Sequence, residues 1–237
     1  MFAQRNALAY RLWFFYYRLA RSSKKTIPGR GDSIYLDGYP RSGNTYFTAA
    51  LKSICPDMRF GNHLHVVAPI KIAIKRHVPV FILMRKPEHA IASYFIHVKD
   101  DRSTSSKSDL SEEQLCEILC NEWLTYYEFV GDAQGHLHLI ASEAAFENPV
   151  VAIEQILNNA GSIVVDDVAE KWKAFDQEFR VHDATKPQGS TSFPDPSRKI
   201  EKIRVRDLIR NEPLLAQCDN VYERLLPGSI VKDVEQV

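Results

Sequence analysis

The stretch Ile34-Tyr-Leu-Asp-Gly-Tyr-Pro-Arg-Ser-Gly-Asn-Thr-Tyr46 narrows the fold of this chain more than any other. Ile34, Tyr35 and Leu36 have the composition of a strand, and Gly38 and Gly43 bracket a turn that contains Pro40. Beyond the turn, Phe47, Ala50, Leu51 and Ile54 recur at helical spacing. A strand that feeds a glycine-bounded loop into a helix aims free backbone N–H groups and a positive dipole end at one place. Such a place suits an anion, phosphate above all.

The spacing Gly38-x4-Gly43-x-Thr45 is the phosphate-loop pattern of nucleotide triphosphatases with one change. Asn44 stands where that pattern has the lysine that reaches the β/γ-phosphates, and the cation sits inside the loop at Arg41. No magnesium-binding acid is evident. The loop therefore reads as built for an anionic nucleotide other than a triphosphate. A small-molecule kinase is the alternative enzyme, and a non-catalytic nucleotide-binding protein at a membrane is the alternative outside catalysis.

At 237 residues, with 45% apolar and 25% charged side chains, the chain suits one soluble α/β domain with a full core. Thirty basic and thirty acidic residues cancel, which argues against a nucleic-acid partner while allowing a local basic site. Cys116 and Cys120 have the wrong spacing for a zinc knuckle, so the cysteines read as buried free thiols of a reducing compartment. Residues 1–25 are aromatic and basic without an acid; Gln4, Arg11 and Arg18 share a helical face with Arg21 and Lys25. The segment is too short and too charged to span a bilayer. It suits an anionic membrane surface, a partner, or packing on its own domain. We divide the chain into this helix and linker, 1–30, and a catalytic domain, 31–237.

Val78–Met84 is a near-continuous apolar run, as a parallel strand covered on both faces requires. It ends at Arg85-Lys86, and Pro87 and Glu88 suit the first turn of a helix to Val98. Ser111-Glu-Glu-Gln114 is a capping box that opens a helix to about Val130. Leu137–Ile140 reads as a third strand, followed by helices at Val150–Asn159 and 168–180 and a helical region over about 198–226. Residues 55–69 read as irregular up to a helix at Pro69–Arg76. Strands alternating with helices imply a doubly wound parallel sheet whose ligands bind at the carboxyl ends of the strands. Arg41 and Arg85 both fall at such ends, and Ser93 lies just over two helical turns beyond Arg85. His63 or His65 could supply a base.

These motifs resemble the sulfotransferases that use 3′-phosphoadenosine-5′-phosphosulfate (PAPS). Tyr39-Pro-Arg-Ser-Gly-Asn-Thr-Tyr46 is similar to their 5′-phosphosulfate loop, Y-P-K-S-G-T-T-W. Arg85 and Ser93 keep the spacing of their 3′-phosphate motif. Asn62-His63-Leu64 matches a K-T-H-L stretch whose histidine is the base, and Leu137–Pro149 is similar to the strand and E-N-P turn that follow. The similarity covers about residues 33–160. Arg41 replaces the family lysine, Tyr46 the tryptophan, and Ser142 a tyrosine beside the adenine.

The resemblance implies a P-loop NTPase-like sulfotransferase fold and in-line transfer of a sulfuryl group from PAPS to an acceptor hydroxyl or amine. It implies Arg41 and His63 as catalytic residues, with His65 next in line. Cofactor contacts are expected from Arg41, Ser42, Gly43, Asn44, Thr45, Tyr46, Arg85 and Ser93. Arg198 stands in for the family's C-terminal phosphate contact. No metal is called for, since arginines carry the charge. The loops 56–69, 99–110 and 182–197 would shape a pocket for a small-molecule, lipid or glycan acceptor. The expected location is the cytoplasm, at the membrane surface if the N-terminal segment binds there.

Overall fold

The computed structural model describes residues 27–61, 63–100, 107, 109–161, 163–185 and 198–231. The expected N-terminal helix, Asn62 and most of the loops 99–110 and 182–197 lie outside the described residues. Four parallel strands form one sheet in the order β2-β1-β3-β4: β1 Ile34–Gly38, β2 Phe60–Gly61, β3 Val80–Met84 and β4 His138–Ala141. The two-residue β2 lies within a stretch read as irregular, because two residues carry no alternation to detect. Helices alternate with the strands: α1 Asn44–Ile54, α2 Val67–Lys75, α3 Pro87–Asp100, α4 Glu112–Asp132, α5 Ser142–Glu147, α6 Pro149–Asn159, α7 Val168–Ala184, α8 Lys199–Arg210 and α9 Pro213–Leu225. The helical region expected over about 198–226 holds two helices. Pro213 disfavours helix at Glu212 and begins α9 at its first position. The capping box of α4 forms as its sequence requires, with Ser111 Oγ accepting from Gln114 N and Gln114 Oε1 from Ser111 N.

Strand periodicity splits the core across the sheet. Tyr35, Val80, Ile82, Met84 and Leu139 pack under α2, α3, α4, α8 and α9. Ile34, Leu36, Phe81, Leu83 and Ile140 face the other way, toward α1, α6 and α7. Both faces are thus covered, which is why β3 is apolar at every position. All four cysteines are buried and free. At the outer side of β4, Ser229 bridges to Leu139 and its Oγ accepts from Ala141 N at 2.8 Å, while Ile230 N donates to Leu139 O at 2.9 Å. Among the described residues no helix is long and apolar enough to cross a membrane.

Candidate active site

The strand register sets the site. Gly38 pairs with Leu83 and Met84 with Ala141, so the loops after β1, β3 and β4 leave the sheet side by side. Gly38 has to be glycine, because a Cβ there would lie 2.3 Å from the Leu83 carbonyl oxygen. The loop then turns into α1 through Gly43, in left-handed backbone with φ 97°. A Cβ on Gly43 would also meet Phe146 Cε2 at 2.7 Å. Gly43→Ala is therefore expected to destabilise the fold by about 1–3 kcal/mol, measured as a lower denaturant midpoint at unchanged slope.

No side chain caps α1. The first N–H groups of a helix have no acceptor within it, so this end offers donors and positive potential to an anion. The loop is fixed from behind. Asn44 Nδ2 donates to the carbonyls of Gly38 and Tyr39 at 3.3 and 3.2 Å, turning its amide into the loop. Ser42 N donates to Tyr39 O at 3.2 Å, and Ser142 Oγ donates to Ser42 O at 2.9 Å. Tyr127 on α4 accepts from Tyr39 N at 3.2 Å and donates to Leu83 O at 2.7 Å. Thr45 is exposed. Tyr46 is 2% exposed. Its ring packs with Phe47, Phe146, Phe175 and Phe179, and its hydroxyl donates to Asp176 and accepts from Trp172.

Arg41, Arg85 and Ser93 come together. Arg41 holds left-handed backbone at φ 69°, and its Nε donates to Ser93 Oγ at 3.2 Å. Arg85 Nη1 donates to the Arg41 carbonyl at 3.0 Å. Burial pushes the Arg41 pKa down, the Arg85 charge adds to that, Asp183 opposes it, and Arg198 adds again. Burial likewise lowers Arg85, against Glu143 and with Arg206. An arginine does not lose its proton at such shifts. Their direction records first the cost of burying each positive charge, to which Arg85 adds at Arg41 and Arg206 at Arg85, and an anion would relieve it. Arg198 is committed to carboxylates, with Nη2 at 3.1 Å from Asp100 and 2.6 Å from Glu201. It reaches this site through its charge.

Two carboxylates stand here that sequence reasoning passed over. Glu143, one residue into α5, accepts from Lys86 N at 3.2 Å and lies 3.6 Å from His89 and 3.9 Å from Arg85. Asp37 is fully buried at the end of β1. It accepts from Gly38 N at 2.8 Å, from Leu64 N and His65 N at 3.1–3.2 Å, and from the Tyr35 hydroxyl. His65 Nδ1 lies 3.2 Å from Asp37 Oδ1 and 2.7 Å from Gly38 O. Burial raises the Asp37 pKa, but the hydrogen bond and charge of His65, then Tyr35 and Gly38, outweigh it and leave it lowered. An acid in an otherwise apolar strand run was the available signal. The His63 ring lies beside that of His65, tilted by 43° with centroids 5.1 Å apart.

No family model matches the chain, and no curated protein matches it in sequence. Among solved structures, that of mouse sulfotransferase SULT7A1 complexed with PAP aligns at a TM-score of 0.54 and 13% identity, covering 81% of this chain and 90% of that one. The chain thus has a parallel α/β sheet flanked by helices, in the fold of a sulfotransferase.

Proposed function

We propose that this protein transfers a sulfuryl group from PAPS to an acceptor hydroxyl or amine. The observation that carries this reading is the meeting of Arg41, Arg85 and Ser93 at adjacent strand tips, beside an uncapped helix start. A nucleotide with phosphate at both its 3′ and 5′ positions matches two clustered guanidiniums better than a single phosphate does. The likeness to a sulfotransferase crystallised with PAP supports the same reading.

In this reading the N–H groups at Gly43–Tyr46 and the Thr45 hydroxyl hold the 5′-phosphosulfate. Arg41 offsets the charge that grows on the bridging oxygen as the S–O bond breaks. Arg85 and Ser93 hold the 3′-phosphate, with Arg198 adding positive potential. A histidine of the 63–65 loop takes the proton of the acceptor, and orientation of the reactants supplies much of the remaining rate. The acceptor is a small molecule, lipid or glycan, and the place of action is the cytoplasm, with residues 1–25 as a membrane-surface contact. A kinase would need a cation at residue 44, where the Asn44 amide is instead spent on the loop.

Desulfated product, 3′,5′-ADP, is expected to raise the melting temperature, and magnesium-ATP at the same concentration to leave it unchanged. The reverse result would favour the kinase. Labelled PAPS offered with a panel of glycans, lipids and phenols is expected to yield at least one sulfated product. Binding of 3′,5′-ADP without transfer to any of them would favour a nucleotide-binding protein without catalysis.

A further inference from the structure

We infer that His65 is the proton acceptor of this site and that Asp37 is its positioning residue, an assignment that rests on the sulfuryl-transfer reading. His65 Nδ1 has two oxygen neighbours, the Gly38 carbonyl at 2.7 Å and Asp37 Oδ1 at 3.2 Å. Neither can donate, so the proton belongs on Nδ1 and the lone pair on Nε2. The side chain is 29% exposed, so the ring is held at one nitrogen without being sealed off. Its backbone is also fixed. His65 sits at φ 57°, unusual for a bulky residue, and its N–H donates to both Asp37 oxygens. Gly38, which accepts from the ring, is the residue from which the Arg41 loop departs.

Asp37 thus joins the imidazole to the nucleotide loop. The titratable groups around it are Tyr35 on β1, Tyr126 and Tyr127 on α4, and the two loop histidines. Burial raises the pKa of both α4 tyrosines and keeps them neutral. The Asp37 carboxylate is then the negative charge that an imidazolium at 65 would face. In the step, the acceptor hydroxyl gives its proton to Nε2 as its oxygen bonds to sulfur. The S–O bond to the 5′-phosphate breaks, and its electron pair stays on the phosphate oxygen beside Arg41. The imidazolium later returns its proton to water.

The test has three arms. Long-range 1H–15N spectra of the free wild-type protein are expected to show His65 as the Nδ1–H tautomer. This needs neither cofactor nor variant, so it stands or falls separately from 3′,5′-ADP binding, whose absence would remove the sulfuryl-transfer reading alone. An Nε2–H tautomer would overturn the assignment. PAPS turnover is then measured with the best panel acceptor, or with water where none reacts. His65→Ala is expected to lose about 10²-fold; full activity there would overturn the assignment and pass the role to His63. Asp37→Asn is expected to lower kcat about tenfold with KM for PAPS within twofold. Asp37→Glu, which keeps a carboxylate at this place, is expected to recover part of the lost kcat. Equal losses in kcat and in KM for PAPS, or no recovery with Asp37→Glu, would make Asp37 purely structural and overturn the positioning role.

Discussion

Arg41→Ala is expected to cut PAPS-dependent transfer by about 10³-fold while the protein remains folded. The Arg41 Nε donates to Ser93 Oγ at 3.2 Å, and the side chain lies beside Arg85 in partly buried surroundings. Removing it relieves repulsion in the free protein, so stability should hold or rise slightly. The loss falls on the transition state, where charge develops on the leaving oxygen. A fall in kcat much greater than any weakening of 3′,5′-ADP is the expected pattern. Equal losses in both would make Arg41 a binding residue. Arg41→Lys should recover only part of the rate, since a point charge on a flexible stem does not reproduce the fork that reaches Ser93. A variant with unchanged turnover would remove Arg41 from the chemistry.

Arg85→Ala is expected to weaken 3′,5′-ADP binding by about 10²–10³-fold, as truncation of one partner in a desolvated charge pair does. Calorimetry with 3′,5′-ADP and with 5′-AMP separates the causes. The variant should lose most of the discrimination between the two, because the 3′-phosphate is the group Arg85 is assigned to hold. Arg85 also donates to the Arg41 carbonyl, and Arg41 occupies left-handed backbone. Part of the effect will therefore come from a loosened loop, and it should appear as weaker 5′-AMP binding as well. An affinity for 3′,5′-ADP equal to wild type would refute the assignment.

What the sequence disclosed follows from the range over which each feature is specified. The β1–loop–α1 unit is local: two glycines, a proline and a 3.6-residue period mark it without help from the rest of the chain. The spacing of Arg85 and Ser93 is also local, since eight residues on one helix fix a direction, and Ser93 does face Arg41. The full burial of β3 was visible because every position is apolar. Asp37 was harder to see. An acid in strand surroundings acquires meaning only when a loop 27 residues later folds two amides onto it. The hydrogen-bond partners of His65 were hidden for the same reason, as they are brought in through tertiary structure. Tyr46 belongs here too: its hydroxyl partners on α7 lie about 130 residues away. The helical composition over about 198–226 was legible, and Pro213 marks where it divides into α8 and α9.

Residues 229–231 lie against the outer edge of β4. By lying along β4 they occupy hydrogen-bonding groups that an outermost strand otherwise leaves open. A shortened protein that stopped before Ser229 would bare this rim of the sheet, a template for a neighbouring molecule to extend. Such a truncation should show itself first as self-association on storage, while the Arg41 loop, which follows β1 two strands further in, is still intact.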